Sequence, residues 1–276
     1  MITANDAYIN TTKQVMESGI PVNTRNSEVL RATNIIHTFD GTPLVTVRKT
    51  AWKLALREME WFLSGSNNIK DLHPSVRHWW EPWKEEFGAI SGNYGEQFRH
   101  SVQSYQNPDT LDNSFDQIEY LVRGIKNHPF SRRNVITTWN TGDMANPHTP
   151  ITNCHGSIIQ AFVNNDNEID ITMYQRSGDF LLGVQHNWIQ YYAFILWLAR
   201  ETDRKPGKLT WIGGDVHIYQ DHWNVAHEIL GIQSGYTDAP QLVLRDQTPG
   251  PFKADEFELT SPAPAPIIKT KIPMIV

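Results

Sequence analysis

The stretch from Trp188 to Arg200 is almost wholly apolar and long enough for a helix, so any fold of this chain has to bury it centrally. The segments around it must therefore supply layers on more than one side. Asn5 to Gly19 reads as a helix with a polar cap and a terminal Gly, and Thr50 to Leu63 as a helix stopped by Gly65. In the second, Ala55, Met59, Phe62 and Leu63 form an apolar stripe with Glu58 beside it. Phe115 to Lys126 and Trp223 to Leu230 read as further helices. Thr33 to Thr38 and Leu44 to Arg48 alternate like strands around the turn Asp40-Gly41-Thr42-Pro43. Asn134 to Trp139, Ser157 to Val163, Glu168 to Tyr174, Leu209 to Ile212 and Gln241 to Arg245 are strand-like as well. Strands and helices mixed without regular βαβ alternation indicate an α+β fold. The 276 residues show no repeat, and the Pro-rich Ser261 to Pro266 marks a tail, not a linker, so a single domain over 1–276 is expected.

No apolar run reaches the roughly 18 residues of a membrane span, and Met1 to Asn10 has neither a basic stretch nor an apolar signal core. One Cys permits no internal disulfide and suits a reducing compartment, so a cytoplasmic protein is expected. With a net charge of -6 and no block of Lys or Arg, direct DNA binding is not expected; nucleic-acid chemistry would be at the nucleotide level.

The lone Cys154 lies in Pro150-Ile151-Thr152-Asn153-Cys154-His155-Gly156, between two strand-like runs. Such a Cys is most often an inert buried hydrophobe. The cations Arg132, Arg133 and Arg176 on either side point instead to a thiol whose pKa is lowered for nucleophilic work. Ser131-Arg132-Arg133 and Gln175-Arg176-Ser177 join guanidinium groups to hydroxyls, a set suited to a phosphate dianion, or to plain surface salt bridges. His217 and Tyr219 share one side if the segment is extended, as packed side chains or as donors to a sugar hydroxyl. Trp79, Trp80 and Trp83 crowd one segment, for packing or for stacking on a planar ligand. One Cys and scattered His lack zinc spacing, and no metal is expected.

In order along nearly the whole chain, these segments resemble the thymidylate synthase family. The matching residues are Arg25, Pro43-Leu44-Val45-Thr46, Glu58 within Arg57 to Leu63, Trp80 with Trp83, and Tyr94 within Gly92-Asn93-Tyr94-Gly95. The match continues through Arg132-Arg133, Cys154-His155, Gln175-Arg176-Ser177 with Asp179, and Leu182-Gly183. It closes with Asn187, His217 with Tyr219, and the tail Pro273-Met274-Ile275-Val276. The resemblance implies a mixed sheet packed with helices, one sheet face forming a homodimer interface.

It also implies catalytic places for Cys154, Glu58, Tyr94, His155, Arg176, Asp179 and Asn187. The Cys154 thiolate would add to C6 of dUMP and make C5 attack the methylene of the co-substrate 5,10-methylenetetrahydrofolate. Arg25, Gln175, Arg176, Ser177 and Asp179 would hold the nucleotide, with Arg132 and Arg133 lent by the other subunit. His217 and Tyr219 would bond the deoxyribose, while Glu58 and Tyr94 would manage proton transfers. Trp80, Trp83, Asp179, Leu182, Gly183, His186 and Val276 would face the folate. An amide at Asn187 suits the O4 and N3-H of uracil, where relatives acting on dCMP carry Asp.

Two segments depart from the family pattern: Thr152-Asn153 replaces two prolines before the Cys, and Gln185-His186 replaces Pro-Phe before the Asn. Both add polar groups, and His186 is expected to activate a water as a base near neutral pH. That favours 5-hydroxymethylation of dUMP, as in enzymes of viruses with modified DNA, which would act in a bacterial host's cytoplasm. Retention of Trp80 and the tail, which shield the intermediate in methylating enzymes, favours thymidylate synthesis. A non-catalytic nucleotide- or RNA-binding homologue is the third reading, and it leaves Cys154 without a purpose.

Overall fold

A computed structural model of the chain describes residues 2–102, 114–145, 153–233 and 240–275. Helix α1 (Ala4–Ser18) starts where the Thr3 side chain accepts from the Asp6 N–H. Strand β1 (Ile20–Asn23) folds back on β2 (Glu28–Asp40). Helix α2 (Trp52–Ser64) ends at Gly65, whose φ of 83° is the left-handed stop that Gly accepts. Helix α3 (Tyr94–Arg99) is capped by Asn93, and a two-residue ribbon, β3 (Ser101–Val102) with β4 (Ser114–Phe115), precedes α4 (Gln117–Asn127). Then come β5 (Val135–Ile136), α5 (Thr141–Ala145), β6 (Ile158–Val163) and β7 (Glu168–Asp179). A π-helical turn at Phe180–Val184 leads into α6 (Gln185–Thr202), followed by β8 (Lys205–Tyr219) and α7 (Trp223–Leu230). Near the end, β9 (Leu242–Leu244) and β10 (Phe257–Leu259) pair with each other.

The main sheet has six strands in the order β1-β2-β8-β7-β6-β5, antiparallel throughout except for the parallel pair β7 and β8. Parallel neighbours need a long crossover, and α6 is that crossover. Fifteen of its eighteen residues are buried, which bears out the central position expected of the apolar run. The architecture is the expected α+β: a mixed sheet packed with helices. Register along β7 and β8 sets Ser177 opposite Asp215 and Asp179 opposite His217, so the ends of both strands open onto one place.

Three expected strands come out differently, each for an identifiable reason. Leu44 to Arg48 is not a strand: the Asn5 side chain accepts from the N–H groups of Thr46 (2.8 Å) and Val47 (3.2 Å), doing what a ladder partner would do. Asn134 to Trp139 shortens to β5 because the Gln117 amide pairs with both the N–H and the carbonyl of Thr137. The β8 strand runs far beyond Leu209 to Ile212, straight through Gly213 and Gly214. Those glycines are packing requirements and not stops: a Cβ at 213 would lie 2.4 Å from the Trp211 ring, and one at 214 would lie 2.3 Å from the Tyr174 hydroxyl.

Replacing Asn5 with Ala strips two buried N–H groups of their acceptor. A loss of about 3 kcal/mol is expected from the usual penalty for unsatisfied buried donors, read as a lower urea midpoint with an unchanged m-value.

Candidate active site

The half-buried Cys154 lies just before β6 and meets the start of α3. The Tyr94 hydroxyl oxygen accepts from the backbone N–H of Cys154 at 2.9 Å and of His155 at 3.3 Å. With that oxygen accepting twice, the hydroxyl proton is left to point at Cys154 Sγ, 3.3 Å away. The loop is tight here: Gly156 has φ 62°, and a Cβ on it would lie 2.2 Å from the Tyr191 hydroxyl. Arg176 donates from Nε to the Asn153 carbonyl at 3.0 Å and lies over the Trp139 ring.

Burial pushes the Cys154 thiol up, and the Tyr94 hydroxyl and the Arg176 charge pull it down without overcoming burial. This corrects the expectation of a thiol lowered by nearby cations. Arg132 and Arg133 are exposed and line neither pocket described below, so their closeness in sequence brings no charge to the sulfur within one chain.

Glu58, on the buried side of α2, accepts from Trp80 Nε1 at 2.6 Å and from Gln190 Nε2 at 2.7 Å. Its carboxyl is pushed up to about 7 by burial, against the opposing pull of those two donors. Asn187, near the start of α6, accepts from Gln175 and donates to Gln190, both at 3.1 Å. His155 is held neutral, at about 3, by burial; its Nδ1 meets the Tyr191 hydroxyl at 3.0 Å and its ring stacks on Tyr94.

These groups share a cleft of about 410 Å³. Cys154, Glu58, Tyr94, His155, Gln175, Arg176, Ser177, Asp179 and Asn187 all line it, as sequence reasoning expected. Trp80, Trp83, Leu182, Gly183 and His186 form another wall, joined by Trp79 and by Met274 of the tail. A second pocket of about 240 Å³ holds Arg25, Arg31, Asp215, His217 and Tyr219, and it shares Asn26 and Ser177 with the cleft. His217 is oriented there by Asp215, 2.8 Å from its Nδ1. Buried His222 links Asp179 (3.6 Å) to the Pro273 carbonyl (2.8 Å), tying the tail to the cleft.

The polar departures behave differently from expectation. His186 has no free nitrogen: Nε2 accepts from the Ala51 N–H, so Nδ1 carries the proton and donates to the Leu182 carbonyl. Burial also lowers it to about 4, so it is no base near neutral pH. Asn153 turns its Nδ2 to the carbonyls of Gly92 and Thr138, and buried Gln185 does not line the cleft. Thr152 and Val276 lie outside the described residues.

Residues 6–274 match the family model described as thymidylate synthase. The chain belongs to the thymidylate synthase family. A curated thymidylate synthase of Corynebacterium aurimucosum is 31% identical over 270 residues, covering 96% of each chain. As a thymidylate synthase homologue the protein is a one-carbon transferase. Within this cleft, sequence reasoning missed Asn26 and Gly178 on the wall and Gln190 behind it, while Met274 belongs to the tail already matched. Gln190 had a signal: a polar residue inside an apolar helix, three positions after Asn187, shares its face.

Tyr94→Phe is expected to raise the Cys154 thiol further, since the lost hydroxyl is the largest influence holding it down. Alkylation by iodoacetamide below the thiol midpoint should then slow, and a pH series of alkylation rates should shift to higher pH.

Proposed function

We propose that the protein transfers a one-carbon unit from 5,10-methylenetetrahydrofolate to C5 of dUMP through a covalent bond from Cys154 to C6. The observation that carries this is the meeting of Cys154, Tyr94, Arg176, Glu58 and Asn187 in one cleft that runs into the Arg25 pocket. The folate supplies carbon at the methylene level. Trp79, Trp80, Trp83 and Leu182 suit its flat ring, with the Asp179 carboxylate as a polar contact. Arg25, Arg176 and Ser177 take the phosphate, and His217 with Tyr219 takes the sugar hydroxyl. Asn187 reads uracil, with Gln175 behind it. Tyr94 donates to the sulfur and, with Glu58 through water, handles proton transfer at the ring.

For the last step the proposal is water capture, giving 5-hydroxymethyl-dUMP. Since His186 is committed to backbone partners, the base passes to Glu58: it sits near 7 and keeps lone pairs beyond those used by Trp80 and Gln190. Loss of the C5 proton expels tetrahydrofolate, which keeps the electron pair of the carbon–nitrogen bond, and leaves an exocyclic methylene on C5. Water adds to that methylene and loses its proton to Glu58; the electron pair returned through the ring then expels the Cys154 thiolate. Thymidylate synthesis is the second reading, favoured by Trp80, which is buried against Glu58 where it can shield the same methylene from water.

Incubation with dUMP and methylenetetrahydrofolate, followed by mass analysis of the nucleotide and absorbance of dihydrofolate, separates the endings. Hydroxymethyl product without dihydrofolate is expected; dihydrofolate equal to product would make it a thymidylate synthase. Cys154→Ala should bind dUMP and lose turnover by more than about a thousandfold, as for other covalent nucleophiles; unchanged biological activity would mean a binding protein. Deprotonated Glu58 is the acceptor, so turnover should rise with pH through about 7, and Glu58→Gln should abolish that limb.

The same reading includes a homodimer that lends Arg132 and Arg133 to the neighbouring phosphate site. Ile36, Ile212, Tyr174 and Ile158 form one cross-strand row on the sheet face that they share, with Ile36 59% and Ile158 52% exposed. An apolar row of this kind calls for a cover. Ile36→Glu together with Ile158→Glu should give a monomer in sedimentation and weaken dUMP binding at least about tenfold through the lost arginines.

A further inference from the structure

Five polar side chains, three on the cleft wall and two behind it, run head to tail. Trp211 Nε1 donates to Gln175 Oε1 at 2.9 Å, and Gln175 Nε2 donates to Asn187 Oδ1 at 3.1 Å. Asn187 Nδ2 donates to Gln190 Oε1 at 3.1 Å, and Gln190 Nε2 donates to Glu58 Oε2 at 2.7 Å. Each glutamine spends its second hydrogen on a backbone carbonyl: Gln175 on Ser177 at 3.1 Å, Gln190 on Ala55 at 2.9 Å. An amide NH2 has two hydrogens, so both are used in both residues.

Neither glutamine can therefore be turned over. A reversed Gln175 would set its carbonyl against the Ser177 carbonyl and its NH2 against an indole N–H that cannot accept. A reversed Gln190 would set its carbonyl against the Ala55 carbonyl and the Glu58 carboxylate. All of these side chains are buried, so water cannot repair a reversal cheaply. Asn187 lies between the two and inherits their direction, Oδ1 toward Gln175 and Nδ2 toward Gln190. One lone pair and one hydrogen of Asn187 remain for the cleft.

We infer that Gln190, backed by Gln175 and Trp211, is a positioning residue that locks the Asn187 amide in the uracil-reading sense and joins that lock to the Glu58 carboxylate. The inference rests on the reading of the cleft as a dUMP site. The remaining lone pair accepts from N3–H and the remaining hydrogen donates to O4; a reversed amide would suit N3 and the amino group of cytosine. Trp211 and Gln190 do not line the cleft, so any influence on base choice reaches the nucleotide through Asn187.

The test is calorimetric titration of the full chain with dUMP and with dCMP, without folate, for wild type, Gln190→Met and Trp211→Phe. Methionine keeps the length of the side chain and removes both the acceptor for Asn187 and the donor to Glu58. In Gln190→Met the preference for dUMP should fall about tenfold, the weight of one buried hydrogen bond holding the amide, and in Trp211→Phe about threefold. A merely loosened fold would weaken both nucleotides alike and leave the ratio unmoved. The acid limb of turnover should also move up in Gln190→Met, because the Gln190 hydrogen bond holds Glu58 down. If either variant melts as wild type and keeps the wild-type ratio to within about twofold, the lock is refuted and the dUMP reading stands. If wild type binds neither nucleotide, the dUMP reading falls and the lock with it.

Discussion

Because α6 is buried along almost its whole length, the polar groups of Asn187, Gln190, Tyr191 and Arg200 take their partners inside the protein. Each partner draws a different segment against the helix. Gln190 brings in α2 through Ala55 and Glu58, Asn187 brings in β7 through Gln175, and Tyr191 brings in the cysteine loop through His155. At the far end, Arg200 binds Glu256 at 2.8 Å and Glu201 at 3.0 Å, and Trp197 donates to the Gly250 carbonyl. The cleft is thus assembled by the same bonds that make the central helix tolerable in a dry interior.

That dryness also sets the electrostatics. Burial raises the carboxyl of Glu58 and the thiol of Cys154, and it lowers the imidazoles of His155 and His186. In every case desolvation is the largest influence, and the neighbours only moderate it. The unliganded site therefore holds a neutral thiol and two neutral imidazoles close together, with the Arg176 charge beside them.

Much of the architecture and most of the cleft were legible in the sequence, because amphipathic and apolar periodicity reports directly on burial. What escaped were places where a side chain does the work of backbone. Asn5 and Gln117 satisfy the N–H groups of Thr46, Val47 and Thr137, and the strands expected there do not form. The role expected of His186 failed similarly: its identity was visible but its two backbone partners, Ala51 and Leu182, were not. The strand expected over Leu209 to Ile212 runs on through Gly213 and Gly214, whose crowding by the ring of Trp211 and the hydroxyl of Tyr174 exists only in the folded sheet.

The pairing of β2 with β8, from Val29 opposite Tyr219 to Asp40 opposite Lys208, joins segments made early and late in synthesis. While the ribosome extends the chain between them, β2 has β1 on one side and an unfilled ladder on the other. Such a nascent edge invites pairing with other chains. Production at low temperature or with holdase chaperones should therefore matter more for this protein than for one whose sheet closes between successive strands.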